Sequence, residues 1–204
     1  MMEDGAKTLL LATANPHKAG ELRELLSAIG VHVLTLADLP AEIAGDQVEE
    51  DEPTLEGNAL KKARYWAERS GFTTLADDTG LEVEALAGAP GVYSARYAGE
   101  DATYEDNVRK LLAELKGVEK RHAQFRTVLA YVSPQGEHLV DGICDGVIVN
   151  EVRGAGGFGY DPIFLPHGFD QTFAEMNSGL KNSISHRGRA LQAFAEWMKT
   201  KALD

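Results

Sequence analysis

Apolar residues recur along this chain in two rhythms, one of strands and one of helices. Thr8 to Ala14 is a short apolar run suited to a buried strand. Leu22, Leu25, Leu26 and Ile29 then fall at helical spacing, with Gly30 as a stop. Val31 to Leu36 returns to a strand pattern, so the chain opens as β-α-β. Glu42 to Glu56 has no apolar period and reads as an acidic loop. Thr54 caps a helix predicted to run to about Ser70, with Ala59, Ala63, Trp66 and Ala67 on one face. Phe72 to Ala76 predicts a further strand ending at Asp77-Asp78-Thr79-Gly80, where aspartate and glycine favour a turn.

The Gly/Pro-rich stretch from Gly88 to Gly99 predicts irregular backbone. Thr103 opens a helix with Val108, Leu111, Leu112 and Leu115 inward. Ala123 to Ser133 and His138 to Val152 read as long strands around a Pro134-Gln135-Gly136 turn. A glycine-rich loop, Gly154 to Tyr160, precedes a short strand at Ile163 to Leu165. A last helix carries Leu191, Phe194, Ala195 and Met198 inward. This order predicts an α/β fold, a mixed sheet with flanking helices, in two lobes around a cleft. No repeat or linker interrupts residues 1–204, which read as a single domain.

Composition narrows the class. A chain of 204 residues with 44% hydrophobic and 25% charged positions is an ordinary globular protein, not a fibrous or disordered one. A chain this long buries roughly 70% of its unfolded surface and needs no disulfide staple. A single cysteine, Cys144, excludes an internal disulfide and a cysteine-based zinc site; its apolar setting reads as packing, and such usage fits a reducing, cytoplasmic compartment. No apolar run approaches the ~20 residues of a membrane span, and Met1-Met2-Glu3-Asp4-Gly5 lacks a signal-peptide pattern. The net charge of −12 disfavours long nucleic acid and anionic membranes as partners. It leaves room for a small anionic ligand at a locally basic site, bridged by a divalent cation. The histidines at 17, 32, 122, 138, 167 and 186 form no H-x-x-x-H pair, which disfavours a histidine metal site.

Four segments carry candidate chemistry. Thr13-Ala14-Asn15-Pro16-His17-Lys18 lies where a strand hands over to a helix. The free N–H groups and the helix dipole there suit a phosphate. The same residues also make a simple cap, Asn15 at N-cap with Pro16 at N1. Lys18 opposes the dipole from the first turn and so needs another reason to be there. Asp77-Asp78 reads either as a divalent-cation site that polarises water or as a turn. Gly154-Ala155-Gly156-Gly157-Phe158-Gly159 matches G-x-G-x-x-G literally, but the following Tyr160-Asp161-Pro162 opens no helix, which excludes a dinucleotide fingerprint. A loop offering Phe158 or Tyr160 to stack on a base, with Asp161 at its edge, is the functional reading; aromatics turned into the core is the other. Ser185-His186-Arg187-Gly188-Arg189, with Lys181 upstream, reads as a cap with either solvated or anion-facing basic residues.

Taken together the segments resemble the Ham1 family of inosine triphosphate pyrophosphatases. The resemblance rests on Thr13 to Lys18, Glu56-Gly57-Asn58-Ala59-Leu60-Lys61-Lys62-Ala63, Ala76-Asp77-Asp78-Thr79-Gly80-Leu81 and Gly88-Ala89-Pro90-Gly91-Val92-Tyr93-Ser94-Ala95-Arg96-Tyr97. It continues in Gly156-Gly157-Phe158-Gly159-Tyr160-Asp161-Pro162-Ile163-Phe164 and Ser185-His186-Arg187-Gly188, in family order over nearly the whole chain. It implies an elongated mixed sheet in two lobes, a homodimer, Mg²⁺ as cofactor, and hydrolysis of ITP, dITP and XTP to monophosphate and pyrophosphate, with ATP and GTP poor substrates. By the same resemblance Asp78 is the catalytic base and a metal ligand, Asp77 supports it, and Glu49 or Glu50 of the acidic loop joins it on the metal. Thr13, Asn15 and Lys18 bind triphosphate with Lys62 and Arg187, and Thr79 keeps a hydroxyl where the family often has serine. Phe158 stacks on the base within Phe158-Gly159-Tyr160-Asp161, whose edge is read by Asp161, Lys181, His186 and Arg187. The alternatives are a pyrophosphatase of broader modified-nucleotide range, a catalytically silent nucleotide sensor and, weakest, a Rossmann-type oxidoreductase.

Overall fold

Among the described residues, each of two sets of segments gathers an apolar cluster of its own. The structure, a computed structural model, describes residues 8–28 and 30–201. Ile29, expected on the first helix, and the opening Met1-Met2-Glu3-Asp4-Gly5 lie outside the described residues. One unit is Met1–Asp78, Thr127–Gly142 and Arg189–Asp204; the other is Thr79–Arg126 and Ile143–Gly188.

The strands are β1 (Thr8–Leu11), β2 (His32–Thr35), β3 (Thr74–Val83), β4 (Pro90–Gly91), β5 (His122–Ser133), β6 (Gly136–Ile148) and β7 (Phe164–Pro166). The helices are α1 (Pro16–Ala28), α2 (Ala41–Ala44), α3 (Leu55–Ser70), α4 (Tyr104–Glu114), α5 (Ser178–Ile184) and α6 (His186–Lys201). Pairing follows the order β2-β1-β3-β5-β6-β7, with β4 on β3. β1 is parallel to β2 and β3, whereas β4 and β7 run antiparallel to their partners. The sheet is therefore mixed, and the α/β class expected from the chain is the one observed.

In the first unit β1 lies between β2 and β3, so the crossovers through α1 and α3 step in opposite directions. Both being right-handed, α1 and α3 pass on opposite faces of these strands. Side-chain alternation agrees: Leu9, Leu11 and Leu75 pack with Leu22 and Leu26 of α1 and with Leu191 and Phe194 of α6. The second unit has its own core, in which Leu81 and Val83 of β3 meet Val108 and Leu111 of α4, and Phe125, Phe164 and Phe173.

Most predicted elements fall where the pattern put them. α3 starts behind Thr54, whose side chain accepts the Gly57 N–H, and α4 behind Thr103 in a reciprocal box with Asp106. The hairpin at Pro134-Gln135-Gly136 joins β5 to β6, although β6 ends at Ile148 rather than Val152, where the Val149 N–H turns to the Ile163 carbonyl. α2 and α5 have too few turns to show an apolar period, though the Asn177 cap of α5 was a legible signal.

One expectation is overturned. Asp77-Asp78-Thr79-Gly80 is not a turn: β3 runs straight through it to Val83 and is buried along nearly all its length. Cations from neighbouring helices answer the two carboxylates, and Gly80 lets β4 approach. A Cβ on Gly80 would sit 2.7 Å from the Gly91 carbonyl oxygen, inside any tolerable contact. Gly80→Ala is expected to destabilise the protein by about 1–3 kcal/mol through overpacking, read as a lower urea midpoint with the slope kept. An unchanged midpoint would mean that β4 does not press on this position.

Candidate active site

In the first unit β3 continues past the end of β1, and Asp77 and Asp78 follow the last paired residues, Leu11 with Leu75. Here the strand order reverses between β1 and β3, the switch point at the carboxyl ends of strands where open α/β sheets bind ligands. Asp77 is 0% and Asp78 5% exposed. Removing a carboxylate from water costs several kcal/mol unless it is paired, so each requires a partner. Strand alternation sends them to opposite helices. Asp77 follows Leu75 onto the α1 face, where its Oδ2 meets Lys18 Nζ at 3.1 Å. Asp78 follows Ala76 onto the α3 face, where its Oδ2 accepts from Asn58 Nδ2 at 3.0 Å.

Lys18 now has its reason for standing in the first turn of α1 against the helix dipole: the Asp77 carboxylate. The cap reading of this turn holds as well. Asn15 Oδ1 accepts the N–H of His17 at 3.0 Å and that of Lys18 at 3.3 Å, and Thr13 Oγ1 accepts the Asn15 N–H. Ala14, Pro16 and His17 are exposed, whereas Thr13, Asn15 and Lys18 are half-buried.

Helix α3 presents Asn58 and, one turn on, Lys62 to the same two partners, Asp78 and the acidic loop. Lys62 Nζ donates to Glu50 Oε1 at 2.5 Å. Burial works against its ammonium charge, yet Asp78, Glu50 and Asp77 together hold its pKa above the ordinary lysine value. Asp78 is the converse case. Burial pushes its carboxyl above the ordinary aspartate value, against the opposing pull of Lys62, Lys18 and the Asn58 amide. The acidic loop is laced to α3 further along: Asp51 pairs with Lys61, and Asp46 accepts from Tyr65 and Arg69. Of the two glutamates left open by the sequence, Glu50 is the one held at Lys62 and felt by Asp78. Glu49 is exposed and acts on Lys61. Among the described residues no three His, Cys, Asp or Glu side chains form a ready-made metal cage.

The second unit holds the aromatic and basic candidates. Asp161 Oδ2 accepts the Phe158 N–H at 2.8 Å and Lys181 Nζ at 2.7 Å, both in buried surroundings. This clasp fixes the half-buried Phe158 ring, over which Lys181 Nζ lies 5.1 Å and Arg187 Cζ 5.5 Å from the centroid. Gly157, at φ 70°, is required here, because a Cβ would collide with the Asp161 carboxylate. His186 is buried with its ring stacked on Phe125, 4.5 Å between centroids. Gly159 and Thr79 are half-buried. Tyr160 does not offer a stacking face. It is buried in the core, its hydroxyl donating to the Ser94 carbonyl at 2.9 Å, so that of the two aromatics only Phe158 remains for that role.

A family model described as the Ham1 family matches residues 9–197. A dITP/XTP pyrophosphatase of Chlorobaculum tepidum is 51% identical, over 93% of this chain and 91% of its own length. One of Desulforamulus reducens is 50% identical, over 92% and 94%. Among solved structures, the Ham1 protein of Staphylococcus aureus superposes with a TM-score of 0.85 at 36% identity, covering 96% of this chain and all of that one. The chain belongs to the Ham1 family.

Asn58 is the site residue that reading the motifs one by one passed over. Its signal was available: a polar amide on the helix face that otherwise carries Ala59, Ala63 and Trp66 inward. The electrostatics give a pH test. In metal-free protein the Asp78 carboxyl is expected to titrate above 3.8, followed by the ¹³C shift of its carboxyl carbon. Lys62→Met, which removes the largest lowering charge, should move that titration further up. A titration at or below the ordinary value, or a downward move in the variant, would contradict this account.

Proposed function

We propose that this protein hydrolyses nonstandard purine nucleoside triphosphates (ITP, dITP and XTP) to the nucleoside monophosphate and pyrophosphate. The observation that carries the reading is the buried Asp77-Asp78 pair at the switch point with Lys18 and Lys62 upon it, in a chain half identical to dITP/XTP pyrophosphatases.

Hydrolysis of a phosphoanhydride demands charge neutralisation and a placed water more than covalent catalysis. Asp78 takes the proton of the attacking water. Lys18, Lys62 and the N–H groups opening α1 take the negative oxygens of the polyphosphate. As water adds at the α–β linkage its bridging P–O bond breaks, and pyrophosphate leaves with the bonding pair. A triphosphate entering here competes with Asp77 and Glu50 for Lys18 and Lys62, which releases carboxylate oxygens.

Those oxygens fit Mg²⁺, which takes hard oxygen donors and binds through one or two carboxylates plus phosphate and water, with no full protein cage. Asp78 and Glu50 would hold it, with Asp77 adjacent. When bound it neutralises phosphate charge and acidifies water.

Phe158 stacks on the base, and Lys181 and Arg187 act as donors at its edge. A 6-oxo purine offers them an acceptor, whereas the 6-amino group of adenine sets donor against donor and leaves a polar group unpaired. The protein acts as a homodimer in this reading, a state that light scattering tests.

The test is product analysis of ITP, XTP, ATP and GTP with Mg²⁺. Pyrophosphate and IMP from ITP, with little product from ATP or GTP, are expected; orthophosphate would mean another bond is cut. Similar rates on modified pyrimidine triphosphates would favour the broader pyrophosphatase. Asp78→Asn should lower turnover at least about 10³-fold while nucleotide binding persists. Binding without turnover in the unaltered protein would favour the sensor.

A further inference from the structure

Asn58 is 1% exposed and touches two partners that matter separately to the site. Its Oδ1 accepts the backbone N–H of Glu52 at 3.0 Å, and its Nδ2 donates to Asp78 Oδ2 at 3.0 Å. The amide orientation is forced. A backbone N–H can only donate, so the oxygen faces Glu52 and the two donors of the nitrogen face Asp78. Glu52 lies two residues beyond Glu50 in the acidic loop. Asn58 and Lys62, at i and i+4 on α3, therefore form a two-rung clamp. One rung is neutral, joining the loop backbone to Asp78; the other is cationic, joining the Glu50 carboxylate to the charge of Asp78.

The local chain is shaped for this. Thr54 caps α3, and the Asn58 N–H returns to the Thr54 carbonyl at 3.1 Å. Gly57 has no room for a side chain, because a Cβ would stand 2.8 Å from the Glu52 Cβ. The loop is thus pressed onto the first turn of α3, where the Asn58 oxygen collects the Glu52 N–H.

We propose that Asn58 is a positioning residue that sets the orientation of the Asp78 carboxylate and locks it to the Glu50-bearing loop. It acts through Asp78 and the loop without contacting the nucleotide. A neutral amide suits this role. A second cation would neutralise the carboxylate it holds, whereas an amide fixes one oxygen by a single hydrogen bond and leaves the charge for chemistry. This inference rests on the pyrophosphatase reading above, and its test separates the two.

The experiment compares unaltered protein with Asn58→Leu, which keeps the shape but loses both hydrogen bonds, and Asn58→Asp, which keeps the acceptor toward Glu52 but has no amide donor for Asp78. Asn107→Leu serves as a structural control. Asn107 is a buried amide of α4 that holds only backbone, the Ala95 carbonyl and the Ala98 N–H. Three quantities are read: kcat for pyrophosphate release from ITP, calorimetric Kd for α,β-methylene-ITP, and thermal midpoint. Both Asn58 variants are expected to fold, to lose about 10- to 100-fold in kcat, the scale of one hydrogen bond to a charged group, and to keep Kd within threefold. Asn107→Leu should lower the midpoint and spare kcat. Asn58 variants that behave as Asn107→Leu does, that fail to fold, or that weaken Kd as much as kcat would overturn the proposal by assigning Asn58 to the fold or to binding. If unaltered protein releases no pyrophosphate, the pyrophosphatase reading fails. The positioning role is then judged by the carboxyl ¹³C signal of Asp78, which Asn58→Leu must shift and broaden and which Asn107→Leu must not.

Discussion

Two adjacent carboxylates buried in the middle of a β-strand are the constraint around which the first unit is arranged. Neighbouring residues of a strand face opposite ways, so each carboxylate meets its own helix. The chain answers with a helix on each face: α1 brings Lys18 to Asp77, and α3 brings Asn58 and Lys62 to Asp78. The crossovers that put those helices on opposite faces are the same ones that create the switch point where the carboxylates sit. Fold and site thus arise from one topological fact, the placement of β1 between β2 and β3.

The second unit solves a different problem, holding an aromatic ring half in solvent without letting it collapse into the core. Asp161 grips the Phe158 backbone and Lys181 together, while Gly157 leaves space for its carboxylate. Phe125, Phe164 and Phe173 pack on one another in the core, and His186 stacks on Phe125. Lys181 and Arg187 lie near the Phe158 ring, and both are almost wholly buried. Holding cations out of water is costly unless they are paired, and Asp161 supplies that pair for Lys181.

The apolar periods marked α1, α3, α4, β1, β5 and β6 because each has enough turns or residues for a rhythm to emerge. The caps Thr54 and Thr103 located helix starts to the residue. What the rhythm missed was set by tertiary contacts. Asp77-Asp78-Thr79-Gly80 has turn composition, and its place in the sheet, with Lys18, Lys62 and Asn58 from distant segments at the two carboxylates, makes it strand. Tyr160 and Phe158, two residues apart in one glycine-rich loop, could not be told apart by composition; the Ser94 carbonyl that claims the Tyr160 hydroxyl lies 66 positions away. Glu49 and Glu50 were equally open until the loop was seen pressed onto α3. Order of motifs along the chain identified the family, but roles within a motif depended on which helix face each side chain met.

The partition of the chain carries a consequence for inheritance. One unit is assembled from three stretches and the other from two, interleaved so that neither corresponds to an unbroken segment. The break between Asp78 and Thr79 falls at the peptide bond that follows the buried Asp78. A gene segment encoding one unit cannot be lifted out and joined to a new partner, as linearly arranged modules can. Change in such a lineage must come through point substitution and loop alteration. Substitutions in the second unit would then travel with the Lys18, Asn58, Lys62 and Asp77-Asp78 frame of the first, genetically inseparable.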